Sequence, residues 1–71
     1  KNPMPLINNV LHWLKENNAE LYEIAPEPVL RNKVLHLFRT APEKSESALR
    51  QRLVSELQRD LLVAAQPFRQ T

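Results

Sequence analysis

Apolar residues recur along this chain at the alternating three-and-four spacing of amphipathic helices, in three stretches separated by proline. In the first stretch Ile7, Val10, Leu11, Leu14, Leu21 and Ile24 follow that spacing, with Trp13 on the flank. Pro5 suits a first helical turn, where its missing N–H has no partner to lose. Asn17-Asn18 falls where the next apolar residue is due, and asparagine tolerates the left-handed conformation that ends many helices. The spacing predicts one helix over about residues 5–25, the alternative being two pieces broken at Asn17-Asn18.

Ala25-Pro26-Glu27-Pro28 makes the first break, because each proline pushes its predecessor towards extended geometry. Pro28 then opens a second helix over about residues 28–39, with Glu27 well placed for the positive end of the dipole. Its line is Leu30, Val34, Leu37 and Ala41, widened by Leu35 and Phe38. Thr40 and Glu43 have capping-box spacing, which predicts a third helix over about residues 42–66, with Pro42 in its first turn. A start at Ser45 or Ser47 is the competing reading. The third line is Leu49, Leu53, Leu57 and Leu61, continued by Ala64 or Ala65, with Val54 and Leu62 beside it.

Short connections favour neighbours that pack against each other. The expected fold is all-α, a compact three-helix bundle with a long C-terminal helix in one domain spanning residues 1–71. A first residue of Lys1 rather than Met reads as a piece excised or processed from a larger protein. The strings Val10-Leu11-His12-Trp13 and Val34-Leu35-His36-Leu37 echo each other. The third segment does not join them, which argues against a helical repeat.

Composition narrows the chemistry. There is no glycine, which makes a phosphate-cradling loop or a dinucleotide-binding turn a poor expectation. There is no cysteine, so disulfides and thiolate–zinc sites are excluded. A core this small supplies roughly 3–5 kcal/mol of net stability, leaving good packing or association with a partner to hold the fold. Ten basic and eight acidic residues give a net charge of +2, too balanced to demand an anionic partner. No apolar run is long enough to span a membrane.

Few residues point to catalysis. His12 and Glu16 are four apart and share a helix face, which also describes an ordinary solvent-facing pair. Ser45 and Ser47 read as helix caps, and no serine lies in a nucleophile elbow. Glu16, Glu20 and Glu23 make an acidic strip at helical spacing. A bundle this small has little room for a pocket, so neither an enzyme nor a cofactor is expected.

Two binding readings remain. Leu61-Leu62-Val63-Ala64-Ala65, followed by Phe68, wraps the whole helix circumference in apolar residues, and such a helix is buried on more than one side. A protein partner or a second copy would bury Leu61, Leu62, Val63 and Phe68, with Trp13 as an aromatic anchor. Arg50, Arg52 and Arg59 would orient the contact at its rim. The outer face of the third segment reads as mixed in sign, with Arg52 opposite Glu56 one turn on. The alternative is nucleic-acid binding by the basic second helix through Arg31, Asn32, Lys33 and Arg39.

Overall fold

The computed structural model describes residues 2–42 and 45–64. Four helices make up the described residues: α1 Met4–Asn17, α2 Ala19–Tyr22, α3 Glu27–Thr40 and α4 Glu46–Ala64. The all-α architecture is as the spacing predicts, with the first expected helix divided in two.

Prolines and short polar side chains set the helix starts. Asn2 Oδ1 accepts from the Met4 amide at 3.1 Å, and Pro5 occupies the first turn of α1. Pro26, at ψ 150°, leads into α3, and its carbonyl accepts from the Val29 and Leu30 amides. Ser45 caps α4: its Oγ accepts from the Ala48 amide at 3.1 Å, and its carbonyl accepts from Leu49.

Two boundaries differ from the sequence expectation. The first helix stops at Asn18, whose amide donates to the Leu14 carbonyl at 2.7 Å while its Oδ1 accepts from the Leu21 amide at 3.4 Å. One asparagine thus ends α1 and starts α2. It does so at φ −153° and ψ 69°, not in the left-handed region, and no described residue has positive φ. Lys15, with its ammonium 5.9 Å from the Tyr22 ring centroid, spans the elbow.

The second difference is the start of the last helix. Thr40 lies in the final turn of α3, and its hydroxyl donates to the His36 carbonyl at 3.0 Å. It is therefore engaged backwards and does not cap the next helix. Ala41 is extended at ψ 135°, as a residue before proline prefers, and Pro42 belongs to the connection. The competing start at Ser45 is the one adopted. Glu43, Ala65 and Gln66 lie outside the described residues.

The core takes Ile7, Val10, Leu11 and Leu14 from α1, Leu21 from α2, Leu30, Val34 and Leu37 from α3, and Leu49, Leu53 and Leu57 from α4. Ala41 joins them, and no polar or charged residue is buried among those described. Burying one such leucine is worth about 1.5–3 kcal/mol relative to leaving it exposed.

Cross-contacts fix the helix directions. Lys33 reaches Glu56 and Asp60, whereas Leu37, one turn later in α3, borders Ala48 and Arg52. Positions therefore rise along α3 as they fall along α4, and the two are antiparallel. The Arg31 guanidinium donates to Asn8 Oδ1 at 2.6 Å, tying α3 to α1.

Leu61 departs from the expected core line. Leu57 is 1% exposed, whereas Leu61 is 41% exposed. Leu62, Val63 and Ala64 after it are exposed as well, so burial along α4 ends at Leu57.

Two substitutions test this account. Asn18→Ala removes the side-chain cap of α2 and is expected to cost about 1 kcal/mol, read as a lower urea midpoint at unchanged slope. A midpoint that does not fall would show that the elbow is not held by this cap. Leu53→Ala empties a fully buried position and is expected to cost about 2–5 kcal/mol, enough to unfold much of the population by far-ultraviolet circular dichroism.

Candidate protein interface

Among the described residues the exposed large apolar side chains are Met4, Val29 and, in the C-terminal turn of α4, Leu61, Leu62 and Val63. Leu62 is 60% and Val63 67% exposed, and with Leu61 they form a contiguous exposed run. A shallow depression beside them is lined by Gln58, Arg59, Leu61 and Leu62. Three neighbouring large apolar side chains exposed in the last described turn of a long helix are the kind of patch that marks an interaction surface. Phe68, expected in the same band, lies outside the described residues.

Trp13 and Arg50 sit elsewhere and meet each other. Trp13 is half-buried against the core, and the Arg50 guanidinium lies 4.9 Å from its ring centroid. Glu46 Oε2 accepts from the same guanidinium at 2.6 Å, four residues back along α4. The Arg50 Nε is buried without a hydrogen-bond partner among the described residues. Trp13 therefore packs α1 to α4 through a cation–π contact, as part of the fold. Trp13 and Arg50 border a cleft with Ser47, Gln51, Val54 and Ser55, while Leu61 and Leu62 line another depression.

Lys33 reorganises the charges on the outer face of α4. Its ammonium lies 3.9 Å from Glu56 Oε1 and 3.3 Å from Asp60 Oδ2. Both carboxylates thus turn towards α3, and Glu56 makes no ion pair with Arg52. Arg52 and Arg59 are exposed and make no ion pair or hydrogen bond among the described residues. Arg52, Ser55, Arg59 and Leu62 follow one helical line, i, i+3, i+7 and i+10, and all four are exposed. Glu56 borders the same groove as Arg52 and Arg59, so this face of α4 stays mixed in sign.

The alternative nucleic-acid residues are partly engaged. Arg31 holds Glu27 Oε2 at 2.5 Å as well as Asn8. Lys33 is occupied by α4, Asn32 is exposed, and Arg39 is exposed with an interaction of its own. The spacing of four in Glu27–Arg31 and in Glu46–Arg50 was the available signal for those pairs. No local spacing announces the Lys33 contacts, which join residues distant in sequence.

His12 and His36 are exposed and lie on different helices, and His12 makes no hydrogen bond with Glu16. Among the described residues no three His, Cys, Asp or Glu side chains group as metal ligands. No helix is long and apolar enough to cross a membrane among those residues.

No protein-family model, curated protein or solved structure matches this chain.

Arg50→Ala is expected to uncover one face of the indole, shifting Trp13 fluorescence to longer wavelength and costing about 1 kcal/mol in unfolding free energy. Unchanged emission would show that the guanidinium does not cover the ring in solution.

Proposed function

We propose that this chain is a non-catalytic protein–protein interaction or oligomerisation module that buries the end of α4 against a partner. The observation that carries the reading is the break in burial along α4. Leu49, Leu53 and Leu57 are covered by the bundle, and Leu61, Leu62 and Val63 beyond them are exposed. A helix that extends past its own core with its apolar residues uncovered gains most by lending them to another surface. Exposed Arg52 and Arg59 on the same helix would orient the contact and speed its formation more than they strengthen it.

The runner-up reading, nucleic-acid binding through Arg31, Asn32, Lys33 and Arg39, has weaker support. A phosphate would have to displace the carboxylates that Arg31 and Lys33 already hold. The two readings differ in salt dependence, since phosphate contacts weaken steeply as salt rises.

Leu62→Glu tests the first reading. It is expected to leave helicity unchanged while abolishing the association of this chain with itself or with a captured partner, measured by sedimentation and by pull-down. Association that persists in a folded Leu62→Glu protein would remove the end of α4 from the interface.

A further inference from the structure

The elbow at Asn18 gathers side chains of three helices around one small depression. Asn8, His12 and Lys15 of α1, Tyr22 of α2, and Glu27 and Arg31 of α3 line it. It shares no residue with the depression beside Leu61 and Leu62.

The polar groups of this depression are mostly hydrogen-bond donors. Arg31 donates to Glu27 Oε2 at 2.5 Å and to Asn8 Oδ1 at 2.6 Å, and has further N–H groups to spare. Because Asn8 accepts through its oxygen, its amide NH2 is left to donate. The Lys15 ammonium lies 5.9 Å from the Tyr22 ring centroid and makes no ion pair among the described residues. His12 and the Tyr22 hydroxyl make no hydrogen bond among those residues. The one acid in the lining, Glu27, is already matched by Arg31. Lys15 and Arg31 against Glu27 thus leave a positive excess, and the donors lack an acceptor.

We infer that this depression binds the dianionic phosphate group of a small phosphomonoester. Lys15, His12, the Asn8 amide and the Tyr22 hydroxyl donate to its oxygens, while Arg31 keeps its two contacts and adds positive charge at the wall. Shape selects phosphate over carboxylate. The donors come from α1 and α2, with Arg31 on α3, and they suit tetrahedral oxygens better than the two coplanar oxygens of a carboxylate. Size selects a small ligand: a cavity of about 280 Å³ lies below the roughly 300–1,000 Å³ of drug-sized sites, so it holds the phosphate and little of what carries it. Charge selects the monoester, whose phosphate carries nearly two negative charges at neutral pH, where the diester of a nucleic acid or lipid carries one. The site stands apart from the end of α4, so it adds a ligand to the interaction module without depending on that reading.

The test is an amide-resolved NMR titration of the full chain with glycerol phosphate, dimethyl phosphate and acetate, at constant ionic strength set with chloride. Glycerol phosphate is expected to give saturable shifts centred on the residues of this depression. Dimethyl phosphate and acetate should bind at least about tenfold more weakly, each offering less charge to the same donors. Lys15→Gln should weaken glycerol phosphate binding by about tenfold, the loss of one charge-assisted hydrogen bond. Lys15 is exposed, and circular dichroism checks that helicity is retained. Tyr22→Phe keeps the ring and removes only the hydroxyl, and should weaken binding by about threefold.

Shifts that never saturate, or that spread over all the basic residues of the surface, overturn the site. Acetate or dimethyl phosphate binding as tightly as glycerol phosphate overturns the assignment to a phosphomonoester. Binding that ignores both variants shows that these donors do not hold the anion, and the inference fails.

Discussion

Everything in this molecule hangs on the leucine line of α4. Leu49, Leu53 and Leu57 recur at intervals of four on one helix face and are almost wholly withdrawn from water. A chain this short buries a smaller fraction of its surface than a larger domain does, so few side chains carry the hydrophobic driving force. The line belongs to one buried cluster with Val10 and Leu14 of α1, Leu21 of α2, and Leu30 and Val34 of α3. The bend at Asn18 turns the chain after α1 while keeping Leu21 in that cluster. One capping side chain thereby serves the core without requiring a glycine.

The same packing decides where charge is left over. Lys33 projects from α3 towards α4 and takes up Glu56 and Asp60. Pairs this exposed contribute little to stability, roughly 0–1 kcal/mol each. Their larger effect is to fasten α3 to α4 in an antiparallel register. A similar tie appears at Arg50, whose guanidinium is committed to Glu46 and to the Trp13 ring. The arginines of α4 therefore fall into two kinds. Arg50 belongs to the fold, and Arg52 and Arg59 face solvent.

The end of burial along α4 connects fold to proposed function. α4 rises about 28 Å at 1.5 Å per residue, against about 21 Å for α1 and α3. A helix that only needed to close the bundle would turn polar where its neighbours end. This one becomes more apolar there, at Leu61, Leu62 and Val63. Local stability and outward binding are thus set on successive parts of one helix, and substitutions at Leu53 and Leu62 act on different properties.

The sequence alone determined the all-α class, the core faces and most of the breaks between helices. Apolar spacing is a local property, and proline acts on its own neighbours, so Leu30–Val34–Leu37 and Leu49–Leu53–Leu57 were legible without coordinates. The spacing of Glu27–Arg31 and Glu46–Arg50 was equally local. Tertiary structure decided what depended on competition between distant groups. It chose Asn18 as a double cap over a continuous helix, and it chose Ser45 over Thr40 because Thr40 was already turned back on α3. It also decided that Leu61 lies outside the core, since periodicity does not state how far the covering helices reach. The pairing of Lys33 with Glu56 and Asp60, and of Trp13 with Arg50, arises only when α3 and α1 pack on α4. Contacts across helices carry no signature in local spacing, because their geometry exists only once the chain has folded.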